Sequence, residues 1–109
     1  MTVRQIFDNA RILLGYSLST HSAAEYPFLF DALFIFNGIY TDLFGKTAES
    51  IESVITLSAT ELDAVYYGIA MLIATYAGDT PRQNMLTEIY NAKRARIKSA
   101  ISSVQNVLP

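Results

Sequence analysis

The chain has 109 residues, of which 51% are apolar and only 17% charged, with a formal net charge of −2 and a pI near 5.2. That length supports one domain with one modest core, the acidic balance excludes a globally basic nucleic-acid binder, and the lack of cysteine excludes disulfides and thiol chemistry. Soluble domains are usually about a quarter charged, and a small one has much surface per unit volume, so the low charge implies that part of this surface is covered by a partner.

The first helix is marked by Thr2 and Gln5, spaced as a capping box. Val3, Ile6, Phe7, Ala10, Leu13 and Leu14 follow at helical spacing, and Gly15 is the expected stop. Arg4, Asp8 and Arg11 interrupt any apolar run here, so no signal peptide is read. Residues 15–26 are rich in Ser, Tyr and Thr and read as a loop. A second helix start follows, at Ser22 with Glu25 or at Tyr26 with Pro27, and the later one suits the tolerance of proline for a first helical turn.

From Phe28 to Phe44 two periodicities compete. Phe28, Phe30, Ala32, Phe34 and Phe36 alternate as in a strand, whereas Leu29, Leu33, Phe36, Ile39, Tyr40, Leu43 and Phe44 follow a helical stripe. The run is long for a strand, so the spacing predicts a helix ending at Gly45. Residues 46–57 are a connection in which Lys46 to Ser53 has room for one helical turn and Val54 to Leu57 is β-prone.

Ser58 and Glu61 form a second capping box. Leu62, Val65, Tyr66, Ile69, Leu72, Ile73 and Tyr76 lie on one face of the helix that follows, which Gly78 ends. Its opposite face carries Ala64, Tyr67, Gly68, Met71 and Thr75, without charge. A helix apolar all round is normally buried all round. Either this is the central helix of a compact monomer, or the second face packs on another subunit, with Tyr67, Gly68 and Met71 as candidates for self-association. The apolar window Ala64 to Gly78 falls short of the roughly 20 residues needed to cross a membrane, and the chain is read as soluble and cytoplasmic when made.

The fourth helix starts at Thr80–Pro81, read as a cap followed by proline at the first position. Leu86, Tyr90, Ile97, Ile101, Val104 and Leu108 make its stripe. Lys93 falls inside that seam, which suggests two working parts: Met85 to Tyr90 packing on its own bundle, and Ile97 to Leu108 projecting. A lysine reaching water at the bundle's edge explains the same position. The whole is read as all-α, a single-domain bundle of about four helices over residues 1–109, with a loop or short extended segment between helices two and three.

No catalytic constellation emerges. His21 reads as a solvated loop residue, Asp79 as a cap, and Glu49/Glu52 and Glu61/Asp63 as acids suited to helix starts. There is no phosphate loop, metal spacing or nucleophile elbow, and no cofactor is expected. The notable cluster is Lys93, Arg94, Arg96 and Lys98. Residues 1–88 hold ten acids and four bases, a net −6, while residues 89–109 hold four bases and no acid, a net +4. Arg94 and Lys98 flank one side of the stripe and Arg96 the other, so no single basic face exists. With Ile97, Ile101 and Val104, these four cations form the candidate partner-binding surface, meeting an acidic protein, phosphate or only water.

The opening, Thr2-Val3-Arg4-Gln5-Ile6-Phe7 running to Leu13-Leu14-Gly15, resembles that of small head–tail connector proteins of tailed phages and prophages. So does the closing half: an acidic–aliphatic lead (Glu61-Leu62-Asp63-Ala64-Val65), a small apolar helix, the Gly78-Asp79 break, and a helix with Tyr90-Asn91-Ala92-Lys93-Arg94-Ala95. Residues 16–57 do not contribute. The resemblance implies a non-enzymatic helical adaptor of the virion neck, present in the host cytoplasm during assembly. Such an adaptor forms a ring under the portal protein, extends the DNA channel with at most loose sequence-independent DNA contact, and docks the next neck or tail protein. The competing readings are a small helical regulatory or antitoxin-like protein-binding module, and an enzyme subunit without catalytic residues of its own. The bases of the fourth helix lie late, far from the helix start that normally reads DNA bases in a helix-turn-helix.

Overall fold

The computed structural model of the chain describes residues 1–15 and 32–107, with side chains described as far as Ile101. The expected loop from Tyr16, the alternative starts of the second helix, His21 and Phe28 to Asp31 lie outside the described residues. Four helices follow in order: α1 (Val3–Ile12), α2 (Ala32–Phe44), α3 (Ala59–Ala77) and α4 (Thr80–Val107). The architecture is an all-α bundle, with a non-helical connection between α2 and α3.

Local chemistry sets the helix ends. The Thr2 hydroxyl accepts from Gln5 N at 3.2 Å while Gln5 Oε1 accepts from Thr2 N at 2.8 Å. Ser58 and Glu61 repeat the exchange at 3.2 and 2.9 Å. Each box satisfies two amides that the helix itself leaves open. Gly15, Gly45 and Gly78 all take positive φ (82°, 67° and 73°), the left-handed region that side chains resist and that closes a helix. At α4 the cap is one residue earlier than expected. Asp79 accepts from Arg82 N through its side chain and from Gln83 N through its carbonyl, at 3.3 and 2.9 Å, so Thr80 and Pro81 are already helical.

The connection has no helical turn over residues 46–53. It makes a hydrogen-bonded turn, Ser53 N to Ser50 O at 3.1 Å, and is sewn to the chain's first residues. Val54 bridges Thr2 in antiparallel fashion, Ile55 N donates to Met1 O at 2.7 Å, and Val3 N donates to Ser53 O at 3.1 Å. The Asn37 side chain grips the same connection from α2, donating to Ala48 O at 3.0 Å and accepting from Ala48 N at 2.7 Å.

α3 is the central helix and packs on each of the other three. Its Val65, Ile69 and Ile73 meet a core that includes Ile6 and Phe7 of α1, Phe36 and Ile39 of α2, and Leu86 and Tyr90 of α4. Burying a side chain such as Phe7 or Phe36 contributes about 1.5–3 kcal/mol. Both apolar faces of α3 are therefore used within one chain. Gly68 shows why: a Cβ there would lie 2.7 Å from Tyr90 Cε1 and 2.8 Å from Ile39 Cγ2. The absence of a side chain lets α2 and α4 close on α3 at one point.

Candidate functional site

α4 runs back along α3. Lys93 meets Asp63, the Tyr90 ring sits beside Gly68, and Ile97 and Ile101 lie across from Ser58 and Glu61. These pairs set an antiparallel register in which the first residue of α3 stands opposite about residue 98. Since α4 continues helical to Val107, about nine residues run past the start of α3, about 14 Å at the helical rise.

The basic run divides along this register. Lys93, on the seam, pairs with Asp63 of α3 and places its ammonium 4.9 Å from the centre of the Tyr67 ring, a cation–π distance. Arg94 grips Asp42 of α2 with two nitrogens, Nε to Oδ2 at 2.8 Å and Nη2 to Oδ1 at 3.2 Å. The Tyr90 hydroxyl, one turn earlier, donates to the same Oδ2 at 2.7 Å. The Arg94 hydrogen bonds hold the Asp42 carboxyl below its ordinary value, against the opposing effect of burial, with help from Tyr90 and from the more distant charge of Lys98. Burial, then the adjacent carboxylate, pushes the Tyr90 phenol well above its ordinary range. The Asp42 partnership likewise raises Arg94. These groups are locked in one protonation state near neutrality, which suits an anchor rather than an acid–base catalyst.

Arg96 and Lys98 are different. Among the described residues neither has a hydrogen bond or ion pair. Arg96 is exposed and lines an open groove of about 350 Å³ with Ser58, Thr60, Glu61, Ile97, Ala100 and Ile101. The expected partner surface is thus split by the structure. Lys93 and Arg94 are spent on acids of their own chain, Ile97 is 7% exposed and belongs to the core, and Ile101 is exposed at the groove. The expected projection therefore begins after Ile97, not at it. The Val104 side chain lies outside the described residues.

The candidates for self-association divide as well. Gly68 is buried between Ile39 and Tyr90, so no partner reaches it in this arrangement. Tyr67 and Met71 are half-buried and pack on the core. The second apolar face of α3 is thus covered in part from within the chain: Ala64 and Gly68 are buried, while Tyr67 and Met71 are half-buried and Thr75 is exposed.

Sequence reasoning missed Asp42 and Asp63 as the counter-ions of the basic run. Asp42 carried a signal, being the lone charge between Ala32 and Phe44, and a charge in an apolar stretch demands a partner. Asp63, read as a helix-start acid, gave none. Arg11 is also buried, paired with Asp8 and set 5.5 Å from the centre of the Phe7 ring. Among the described residues no group of three His, Cys, Asp or Glu side chains converges as a metal site, and no helix is long and apolar enough to cross a membrane. No protein-family model, curated protein or solved structure matches the chain.

Proposed function

We propose that the chain is a non-enzymatic structural adaptor of a tailed-phage or prophage virion, a head–tail connector. In this reading it assembles as a ring under the portal protein, in the host cytoplasm and then in the virion neck. It extends the DNA channel and docks the next neck or tail component. The observation that carries the reading is the overrun of α4. A 28-residue helix is anchored through Tyr90 and Arg94 on Asp42, carries Arg96 and Lys98 beside the start of α3, and then continues past the helix it packs on as an uncharged run. A helix projecting from a small bundle suits a protein whose task is to hold two neighbours. The resemblance of residues 2–15 and 61–95 to connectors supplies the kind of assembly.

The test is reconstitution with the cognate portal protein. Light scattering and negative-stain microscopy are expected to show a ring-bearing complex. A chain that stays monomeric both alone and with the portal overturns the reading.

A further inference from the structure

We propose that Asn37 and Gly38 form a latent deamidation site, which α2 holds closed while the chain is folded and whose reaction unfastens the connection between α2 and α3. The site does not depend on what the chain assembles with.

Asn37 is the half-buried clamp of that connection. Its Nδ2 donates to Ala48 O at 3.0 Å and its Oδ1 accepts from Ala48 N at 2.7 Å, so both ends of the amide are used. One turn on, the Thr41 hydroxyl donates to Lys46 O at 2.9 Å. Ala48 packs on the core. The chain beyond it seats the start of α1, with Arg4 N donating to Ile51 O at 2.9 Å and Val3 N to Ser53 O at 3.1 Å.

The next residue is an exposed, helical glycine. Among the described residues a Cβ at Gly38 would meet only Leu72 Cδ1, at an ordinary 3.7 Å. Packing there does not demand a glycine, and alanine would favour the helix more. What glycine supplies is an unshielded, freely turning amide beside the Asn37 side chain. Asn9, Asn84, Asn91 and Asn106 are each followed by a residue with a side chain.

The chemistry needs only water. Gly38 N gives up its proton and attacks Asn37 Cγ. The new N–C bond closes a five-membered succinimide, the Cγ–Nδ2 bond breaks, and ammonia leaves with the amide proton. Water then opens the ring at either carbonyl, leaving aspartate or isoaspartate. Within α2 the attack is blocked twice. Gly38 N is committed to the carbonyl of Phe34, four residues back in the helix. Ring closure also requires the Asn37 ψ to leave the helical well at about −42°. Once formed, an aspartate has no donor for Ala48 O and sets two oxygens against each other where a hydrogen bond stood. Isoaspartate adds a carbon to the backbone of α2 and so also shifts residues 39–44 against the core.

The chain is incubated in warm, mildly alkaline buffer, folded and in concentrated urea, and the peptide spanning residue 37 is followed by mass spectrometry with isoaspartate resolved. In urea, Asn37 is expected to react faster than any other asparagine, and Gly38→Ala to slow it several-fold. Folding is expected to slow the reaction by at least about tenfold, because it waits on local opening of α2. Equal rates folded and unfolded, or a faster asparagine elsewhere in urea, overturns the proposal. Hydrogen exchange reads the consequence. Asn37→Asp is expected to exchange the amides of residues 46–48 about tenfold faster than the wild-type chain, and unchanged exchange overturns the proposal. Where Asn37→Asp does not fold, the deamidated fraction of the wild-type chain takes its place in the exchange measurement, and the same two results decide.

Discussion

Arg94 holds Asp42 with two nitrogens, at 2.8 and 3.2 Å, and thereby ties the middle of the longest helix to the last turn of α2. The Tyr90 hydroxyl shares the carboxylate from inside the bundle. One acid thus serves an exposed cation and a buried phenol, and the two losses differ when it is removed.

Asp42→Ala is expected to destabilise the fold more than Arg94→Ala does. Removing Arg94 breaks a partly exposed ion pair, and such pairs contribute little. Removing Asp42 also strands the Tyr90 hydroxyl, and an unsatisfied buried donor costs about 1–3 kcal/mol. Adding Tyr90→Phe to Asp42→Ala is expected to recover part of that loss. Urea unfolding of the four chains measures the order, and equal midpoints for Asp42→Ala and Arg94→Ala would refute it.

The same carboxylate makes stability pH-dependent. The Arg94 hydrogen bonds outweigh burial and hold the folded pKa of Asp42 below 3.8, so folding favours the ionised form. The stabilisation is complete above the unfolded pKa and is lost as pH falls through the folded one. Below about pH 4 the wild-type chain is therefore expected to lose this contribution, whereas Asp42→Asn has none to lose. Unfolding curves at stepped pH test this: the two chains should converge in stability as the medium becomes acidic. A constant gap from neutrality to the acid end would show that Asp42 acts by packing alone.

Gly68→Ala is expected to destabilise the bundle by about 1 kcal/mol. An added Cβ would stand within 2.9 Å of three side-chain atoms. The Tyr90 ring is held by its bond to Asp42, and Ile39 Cγ2 is fixed to a stiff, branched carbon. Overpacking of this kind costs about 1–3 kcal/mol, offset in part by the roughly 1 kcal/mol that alanine gains over glycine in a helix. Thermal unfolding measures the net effect. A stabilised variant would mean that α3 and its neighbours stand farther apart than 2.7 Å at this point allows.

Gly68 also marks where the sequence stops being legible. The capping boxes at Thr2 and Ser58 and the stop at Gly78 involve residues within four positions of each other, so the sequence announces them directly. The helix of residues 32–44 won over the strand pattern for the same local reason: length and a stripe through Phe36, Ile39 and Leu43, all buried. A glycine at helical spacing, by contrast, does not say which helix approaches it, and the second face of α3 read equally as core or interface. The basic run was visible, but its counter-ions lie 30 and 52 residues away. Only the fold reveals that half the run is already neutralised. The cap of α4 fell on Asp79 instead of Thr80 because both residue types cap well and their order alone does not choose.

That division of the basic run sets what the isolated chain does with DNA. Each phosphate neutralised on a duplex adds about 0.9 to the log–log salt slope of binding. With Lys93 and Arg94 held by Asp63 and Asp42, Arg96 and Lys98 remain. Two positions apart on a helix, they point to nearly opposite sides, so one duplex meets one of them well. The expected slope is thus about 1, and never above about 2. The matching affinity is negligible at physiological salt. A conduit works with such contact, since a tight grip would stall a passing genome. Fluorescence anisotropy of a labelled 20-base-pair duplex, titrated with the chain across a salt series, reads the slope directly. A slope near 4 would require Lys93 and Arg94 to leave their carboxylates for phosphate. Tight, salt-steep binding of that kind would favour a regulatory module over the adaptor.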